Sequence, residues 1–221
     1  MSKVSVIIVA AGKGRRFQAV KQFAVLKNKS VLEWSLDKFE KHPQVDEIIL
    51  VWRKEWEGQV SLGPYTKLSE AIQGGEWRQD SVREGFGRLR SRAQDIVLVH
   101  DGSRPLVSDD LITRVIEGVR REESAVPVVP VEETLKKIRS GYVMRTVERR
   151  ELYRTQTPQG FTFSLLKKAL EKAALDSYLG TDESSLVERL GQKVKGVRGD
   201  PQNIKITFPQ DVVIAEALIE S

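Results

Sequence analysis

Short apolar runs alternate with amphipathic stretches along the chain, and this alternation limits the folds that are open to it. Between the apolar runs, apolar residues recur at helical spacing, as at Leu32, Leu36 and Phe39. Strands that alternate with helices favour an α/β fold with a mostly parallel sheet covered by helices on both faces. We therefore expect a single domain over residues 1–221. Its predicted strands are 4–9, 47–52, 96–100, 125–131 and 194–197.

Helix-start signals agree with this alternation. Ser30 and Glu33 have the spacing of a capping box. Ser108 and Thr181 each precede acidic residues, which favour a helix N-terminus, and Pro209 is typical of a first helical turn. We therefore expect a helix to begin at each of these places.

Composition excludes several classes of protein. Apolar content of 40% and charged content of 30% are typical of a folded globular chain. The absence of cysteine excludes a disulfide framework and a thiolate metal site, and it fits a reducing cytoplasm. No apolar run approaches membrane-spanning length, and a net charge of +5 does not by itself indicate nucleic-acid binding. We therefore expect a cytoplasmic protein that binds neither membrane nor nucleic acid.

A basic loop with two glycines follows the first apolar run. Its sequence is AAGKGRRF, and Lys21 follows as a fourth cation. Glycine lets backbone N–H groups converge on an anion, while the cations neutralise several phosphate charges. A Walker loop is excluded because Lys13 is followed by Gly14, and a dinucleotide fingerprint is excluded because Phe17 stands where a third glycine belongs. The loop predicts a triphosphate site, with a solvated basic loop as the alternative.

A second polar cluster ends the predicted strand 96–100. Asp101 could hold a divalent cation or a sugar hydroxyl, and Arg104 could donate a fork of hydrogen bonds to a phosphate. Alternatively, Asp101 forms a turn and pairs with Arg104 on the surface. His100 is interpreted as structural. This cluster and the basic loop both follow strands, which favours a shared site at the carboxyl edge of the sheet.

A third cluster surrounds Gly74 and Gly75. Glycines ahead of a helix let the backbone approach a planar base, and Ser81 adds a hydroxyl. An ordinary loop before a helix explains the segment equally well, so both interpretations stay open.

Residues 134–147 interrupt the strand–helix alternation. They predict two short strands around Ser140 and Gly141. An isolated hairpin is marginally stable in water, so it must pack on something else. It could be a flap on its own subunit or an arm exchanged across a two-fold axis, and we favour exchange because symmetric dimers are common.

Six motifs occur in order over nearly the whole chain. They are AAGKGRRF with VKQ after it, GGEWRQDSV, HDGSRP, TQTPQGF, GTDESS and NIKIT. Together they resemble the 2-C-methyl-D-erythritol 4-phosphate cytidylyltransferase family of the non-mevalonate isoprenoid pathway. The resemblance implies a Rossmann-like nucleotidyltransferase fold with a protruding β-hairpin arm at about 134–150. It also implies CTP and 2-C-methyl-D-erythritol 4-phosphate as substrates, Mg²⁺ as cofactor, and a homodimer that exchanges its arms.

The same resemblance implies roles for individual residues. The catalytic residues would be Arg16, Lys21 and Asp101. The nucleotide would contact Ala10, Ala11, Gly12, Gly14, Gly75, Glu76 and Ser81. The acceptor would contact Asp101, Arg104, Thr134, Arg149, Thr157, Thr181 and Lys205, with Thr134 and Arg149 reaching it from the partner's arm. Mg²⁺ would be held by Asp101 or by the phosphates.

Three departures from the family pattern affect these roles. Glu76 and Trp77 stand where Asp-Glu is more usual, and the longer carboxylate could shift the contacts with the base. Val20 stands where proline is usual, which allows a less rigid loop. Arg150 follows Arg149, so either arginine could contact the partner's substrate.

Three other functions compete with this interpretation. Ribitol-5-phosphate cytidylyltransferases share several motifs, but GTDESS resembles the methylerythritol family more. A nucleotide-sugar pyrophosphorylase would lack HDGSRP and the arm. A nucleic-acid-binding protein could explain the basic runs at 83–92 and 145–154, but these lack interleaved aromatic stacking groups.

Overall fold

The apolar runs predicted from the sequence form a central β-sheet. The computed structural model describes residues 2–12, 17, 21–56 and 63–220, the side chains of Lys21 and Glu220 excepted. Its strands are β1 (Val4–Val9), β2 (Val25–Leu26), β3 (Lys29–Ser30), β4 (Glu47–Trp52), β5 (Leu68–Gln73), β6 (Ile96–Asp101), β7 (Ser124–Pro130), β8 (Leu135–Arg139), β9 (Tyr142–Val147), β10 (Tyr153–Thr155), β11 (Gln159–Thr162) and β12 (Lys195–Arg198). Its helices are α1 (Val31–Lys41), α2 (Arg78–Phe86), α3 (Asp109–Glu122), α4 (Phe163–Leu175), α5 (Glu183–Glu188) and α6 (Gln210–Glu220).

The central sheet is mixed but mostly parallel. Its strands lie in the order β10-β7-β11-β6-β1-β4-β5, and β12 also pairs with β7. Strands β1, β4, β5 and β6 run parallel to one another, whereas β10 and β11 are antiparallel to their neighbours. The carboxyl ends of these four parallel strands therefore share one edge, where open α/β sheets bind their ligands. The predicted fold class is confirmed.

Helices cover both faces of the sheet, as predicted. In β1, the buried residues Val6 and Ile8 pack with α1 and α3, whereas Ile7 between them packs with α2, α4 and α5. This alternation follows from the two-residue period of a strand, and it explains why strands covered on both faces are apolar throughout. None of the helices in the described part of the chain is both long and apolar enough to cross a bilayer.

The predicted helix starts are confirmed with one correction. Ser30 and Glu33 form a reciprocal capping box at the start of α1, and the Ser108 side chain accepts a hydrogen bond from Leu111 N at the start of α3. At α5, however, the cap is Asp182 and not Thr181, because the Asp182 carboxylate accepts the hydrogen bond of Ser185 N at 3.0 Å. A carboxylate also interacts favourably with the helix dipole, which a hydroxyl does not.

The predicted hairpin is present as β8 and β9. Its turn residues, Ser140 and Gly141, have φ angles of 50° and 84°. Positive φ at both turn residues matches the right-handed twist of the two strands. The hairpin forms a separate two-stranded sheet, and it exposes the apolar side chains of Ile138, Tyr142 and Val143.

The sequence prediction lacks strands β2, β3, β5, β10 and β11. Half of the residues in strand β5 are polar, because β5 is the last strand of the sheet and is less covered than the central strands. Strand β11 contains Gly160, a residue type that weakens strands. Here glycine is needed, since a Cβ atom on Gly160 would lie 2.7 Å from side-chain carbons of Val115 and Val119 in α3. The missing side chain thus lets α3 pack directly on the sheet.

This close approach predicts a difference between two strand glycines. We expect Gly160→Ala to lower the free energy of unfolding by about 1–3 kcal/mol, because the new methyl group overpacks α3. Gly196→Ala in β12 is the matched control, since its Cβ atom would meet its nearest atom at an ordinary 3.4 Å. Urea unfolding of both variants measures the difference, and equal stabilities would contradict this account of the α3 packing.

Candidate active site

Two cavities open at the carboxyl edge of the sheet. The first, here called the nucleotide cavity, lies between the ends of β1, β5 and β6. Its lining is Val9, Ala11, Gly12, Gln22, Gly75, Glu76, Trp77, Arg78, Ser81, Asp101, Ser103 and Lys205. The second, here called the acceptor cavity, lies on the other side of Asp101. Its lining is Arg78, Asp101, Arg104, Thr155, Gln156, Thr157, Gln159, Thr181, Asp182 and Lys205.

The structure brings most of the predicted site residues to these cavities. Among the predicted nucleotide contacts, the nucleotide cavity is lined by Ala11, Gly12, Gly75, Glu76 and Ser81, while Ala10 is buried next to it. Among the predicted acceptor contacts, the acceptor cavity is lined by Asp101, Arg104, Thr157, Thr181 and Lys205. Gly14, Arg16 and the Lys21 side chain lie outside the described residues, although the Lys21 backbone begins a 3₁₀ turn that ends at Phe23.

Thr134 and Arg149 lie elsewhere. Both residues are exposed at the base of the hairpin, and neither is among the described residues that line the nucleotide cavity or the acceptor cavity. Arg150, the other candidate for the contact with the partner's substrate, is exposed as well.

A wall of charged residues separates the two cavities. Arg78, Asp101 and Lys205 line both cavities. The carboxylate of Asp101 accepts a hydrogen bond from Arg78 Nε at 2.9 Å on one oxygen and from Lys205 Nζ at 2.6 Å on the other. Each side of the wall therefore presents a cation that Asp101 holds in place.

The cations decide the charge state of Asp101. Burial alone would raise the pKa of this carboxyl, but the charges of Arg78, Lys205 and Arg104 outweigh it and hold the pKa well below its usual value. Burial lowers the pKa of Arg104, although Asp101 opposes this effect. Arg104 Nη1 donates to the carbonyl oxygen of Asn203 at 2.6 Å. Its Nε is buried and has no hydrogen-bond partner among the described residues.

A carboxylate behind the wall holds Arg78. Both oxygens of Glu183 accept hydrogen bonds from Arg78 Nη1, at 2.7 and 2.9 Å. The Glu183 side chain is 1% exposed, so this ion pair lies in the interior. Arg78 and Glu183 are not among the predicted site residues, although both fall within motifs that carry the family resemblance. Their pairing leaves no local signal because 105 positions separate them.

The loop after β1 is held by side chains from two other segments. Gln22 Nε2 donates to the carbonyl oxygens of Ala10 and Gly12 at 2.8 and 2.9 Å. Arg53 Nε donates to the carbonyl oxygen of Ala11 at 2.9 Å. With three successive carbonyl groups fixed in this way, the orientation of the peptide groups at the cavity wall is set.

Glycine is required where the segment after β5 meets this loop. A Cβ atom on Gly74 would lie 2.4 Å from the Ala11 Cβ, and one on Gly75 would lie 2.3 Å from the Asp80 Cβ. Such distances are far below van der Waals contact. The two glycines therefore let the segment pack against the β1 loop and the first turn of α2, which forms one side of the nucleotide cavity.

A chain of hydrogen bonds fixes the turn that carries Asp101 and Arg104. The Thr157 hydroxyl accepts from Asp101 N at 3.1 Å and lies 3.2 Å from His100 Nδ1. His100 Nε2 lies 3.2 Å from the carbonyl oxygen of Arg104, which can only accept, so the ring proton is on Nε2. Burial lowers the pKa of His100 to about 3, so the ring is neutral at physiological pH. These contacts agree with the structural role expected for His100.

Comparison with known proteins identifies the family. The sequence model of 2-C-methyl-D-erythritol 4-phosphate cytidylyltransferase matches residues 4–221. A protein of that name from Alkaliphilus metalliredigens is 40% identical, and the alignment covers 99% of this chain and 93% of that protein. Another from Geotalea uraniireducens is 38% identical, with 99% of this chain and 97% of that protein covered.

Solved structures agree with the sequence comparison. The crystal structure of 2-C-methyl-D-erythritol 4-phosphate cytidylyltransferase from Thermus thermophilus matches with a TM-score of 0.84 and 33% identity, covering 99% of this chain and 100% of that one. The 4-diphosphocytidyl-2C-methyl-D-erythritol synthase of Anaerococcus prevotii matches with a TM-score of 0.86 and 34% identity, covering 100% of this chain and 99% of that one. With its fold and nearly its full length matched, the chain belongs to the 2-C-methyl-D-erythritol 4-phosphate cytidylyltransferase family.

Proposed function

We propose that the protein transfers the cytidylyl group of CTP to 2-C-methyl-D-erythritol 4-phosphate, giving 4-diphosphocytidyl-2-C-methyl-D-erythritol and pyrophosphate. The observation that carries this proposal is the shared wall of Arg78, Asp101 and Lys205 between two cavities. A nucleotidyltransferase must hold two anions side by side, and a wall with cations facing both cavities suits that task. Family membership over residues 4–221 names the two substrates.

The nucleotide cavity suits a nucleoside triphosphate. Ala10, Ala11, Gly12 and Gly14 would contact the nucleotide through the β1 loop, and Gly75, Glu76 and Ser81 would line the pocket for its base and ribose. The close packing at Gly74 and Gly75 supports this, because it brings backbone groups to the cavity surface. Backbone N–H and C=O groups can pair with the edge of a planar base.

The acceptor cavity suits a phosphate monoester of a polyol. Arg104 and Lys205 supply cations, while Thr157 and Thr181 supply hydroxyl groups. The buried and unpaired Nε of Arg104 supports an anionic ligand, because an unsatisfied donor in the interior is costly until a ligand accepts its hydrogen bond. We therefore assign Asp101, Arg104, Thr157, Thr181 and Lys205 to the acceptor.

The reaction is an in-line displacement at phosphorus. An oxygen of the acceptor phosphate attacks the α-phosphorus of CTP, and the bond to the pyrophosphate oxygen breaks. A phosphate monoester is already an anionic nucleophile, so no strong general base is required. The barrier comes from repulsion between anions and from charge on the α-phosphate, so positioned cations lower it. We assign this task to Arg16 and Lys21 and give Asp101 the task of orienting the cations of the wall.

Magnesium is proposed as cofactor on the basis of the family. The described residues contain no group of three or more His, Asp or Glu side chains that could hold a metal. Both oxygens of Asp101 are bonded to cations, so a metal there would compete with Arg78 and Lys205. We therefore propose that triphosphate oxygens hold the ion. When bound, it would neutralise phosphate charge.

We also propose that the protein is a cytoplasmic homodimer of one-domain subunits with an arm at about 134–150. Thr134 and Arg149 line neither the nucleotide cavity nor the acceptor cavity of their own chain, which fits a role in the partner's acceptor cavity. The exposed apolar side chains on the hairpin, such as Tyr142 at 76% exposure, support burial of the arm against a second copy.

The choice of acceptor tests the proposed function. With CTP, we expect kcat/KM for 2-C-methyl-D-erythritol 4-phosphate to exceed that for ribitol 5-phosphate by about a hundredfold or more, because a poorly fitting polyol leaves buried polar groups unpaired. Pyrophosphate release measures both reactions. Equal or reversed efficiencies would favour a ribitol-5-phosphate cytidylyltransferase instead.

Subunit mixing tests the exchanged arm. We expect Lys21→Ala and Arg149→Ala each to abolish activity, because Lys21 acts in its own cavity and Arg149 in the partner's. In an equal mixture, about half of the dimers are hybrids, each with one intact site, so activity should recover to about a quarter of the unsubstituted level.

As a matched control, the mixing experiment is repeated with Arg150→Ala in place of Arg149→Ala. If Arg150 is the residue that reaches across, Arg150→Ala restores activity when it is mixed with Lys21→Ala. In that case Arg149→Ala remains active by itself. No recovery with either arginine variant, despite subunit exchange seen by native mass spectrometry, would mean that the arm serves its own subunit.

A further inference from the structure

We propose that Glu183 is a positioning residue for the transfer reaction, acting through Arg78 to fix Asp101 and Lys205 in the wall between the two cavities. The inference rests on the proposed function and adds a residue to it. Glu183 lies at the start of α5 and lines neither cavity. Any effect on the reaction must therefore pass through the side chain that it contacts.

The contacts form a chain of alternating charges across four segments. Glu183 in α5 accepts two hydrogen bonds from Arg78 Nη1 at the start of α2. Arg78 Nε donates to Asp101 at the end of β6, and Lys205 Nζ, from the segment before α6, donates to the other oxygen of Asp101. Arg78 and Asp101 therefore each contact two groups of opposite charge, whereas Glu183 and Lys205 are the two ends of the chain of contacts.

The fork of Arg78 gives this chain a fixed geometry. A guanidinium group is planar and presents its donors at set angles, so a carboxylate bonded to Nη1 determines the direction in which Nε points. The Nε–H group holds one oxygen of the Asp101 carboxylate and Lys205 Nζ bonds to the other oxygen, so a shift of Arg78 would be passed on to Lys205 through Asp101. Without Glu183, Arg78 could turn both of its donors toward Asp101.

Charge balance supports the same interpretation. The two carboxylates of Glu183 and Asp101 balance the two cations of Arg78 and Lys205, whereas the wall without Glu183 carries one positive charge. Burial raises the pKa of Glu183, while the Arg78 guanidinium opposes that effect. Burial would lower the pKa of Arg78, but the carboxylates of Glu183 and Asp101 raise it above its usual value. Removing the Glu183 charge would leave a surplus cation beside Asp101.

A purely structural role explains Glu183 less well. The segment around it is already fixed by other contacts: Gln79 Oε1 accepts from Gly180 N at 2.8 Å, and Gln159 Oε1 accepts from Ser184 N at 3.1 Å. Asp182 caps α5. A buried carboxylate is costly unless it is paired, and often no more stabilising than an apolar group of similar size. Its contact with a residue that lines both cavities indicates a functional reason for that cost.

The first test compares Glu183→Gln with Glu188→Gln, an exposed glutamate in the same helix. Glutamine keeps the size and one acceptor oxygen but loses the charge. We expect Glu183→Gln to lower kcat about tenfold or more, since misplacing a positioned group by a fraction of an ångström affects the transition state most. KM for CTP should stay within about threefold, because the groups that bind the nucleotide are unchanged. Glu188→Gln should match the unsubstituted protein.

Arg78→Lys provides a second and independent variant. Lysine keeps the charge but cannot direct two donors at fixed angles, so it should show the same fall in kcat even if Glu183→Gln does not fold. Because the two residues act in series, the double variant should lose no more than the worse single variant, whereas independent effects would multiply. Multiplying losses, or an unchanged kcat in both folded single variants, would overturn the proposal.

Chemical labelling of Lys205 gives a readout that does not depend on turnover. An amine held by Asp101 reacts slowly with an acylating reagent, and loosening the chain should speed its reaction. We expect the rate at Lys205, measured by peptide mass spectrometry, to rise about threefold or more in Glu183→Gln and to stay unchanged in Glu188→Gln. An unchanged rate would overturn the inference. Absence of pyrophosphate release by the unsubstituted protein would instead overturn the proposed function.

Discussion

The carboxylate of Asp101 is the point at which separate segments of this protein meet. Arg78 reaches it from α2, Lys205 from the segment before α6, and Thr157 accepts a hydrogen bond from its backbone N–H. Burial of an unpaired carboxylate would be prohibitive, so the position of Asp101 requires these partners to be present together. Their side chains also form the surfaces of the two cavities. The electrostatic needs of one buried group therefore shape both binding sites.

The neutral histidine beside Asp101 contributes by shape and hydrogen bonding rather than by charge. His100 contacts the Thr157 hydroxyl on one side and the Arg104 carbonyl oxygen on the other. Its ring also packs edge-on against Phe39, with centroids 4.8 Å apart. The turn from Asp101 to Arg104 is thus fixed from within the core. A reaction that depends on positioned charges requires this rigidity, because a mobile cation stabilises the transition state less.

Much of the fold and part of the site could be predicted from the sequence. The strand–helix alternation gave the mostly parallel sheet, and six motifs in order identified the family, as the comparisons confirm. Strand β5 was missed because a strand at the end of a sheet tolerates polar residues. Strand β11 was missed because it packs tightly under α3 and therefore contains a glycine. A helix start was expected at Thr181, but α5 is capped one residue later by Asp182, whose carboxylate accepts the hydrogen bond of Ser185 N. The roles of the individual site residues remain predictions.

The sequence by itself determined which chemistry is available: a glycine-containing basic loop, a carboxylate after β6, and a hairpin with no sheet to join. These are local features, since each depends on neighbours within a few positions of the chain. Only the tertiary structure decided that Arg78 and Glu183 belong to the same charge network as Asp101 and Lys205. Ion pairs between residues about a hundred positions apart follow from how strands are ordered and how helices pack. No periodicity or motif spacing encodes that geometry.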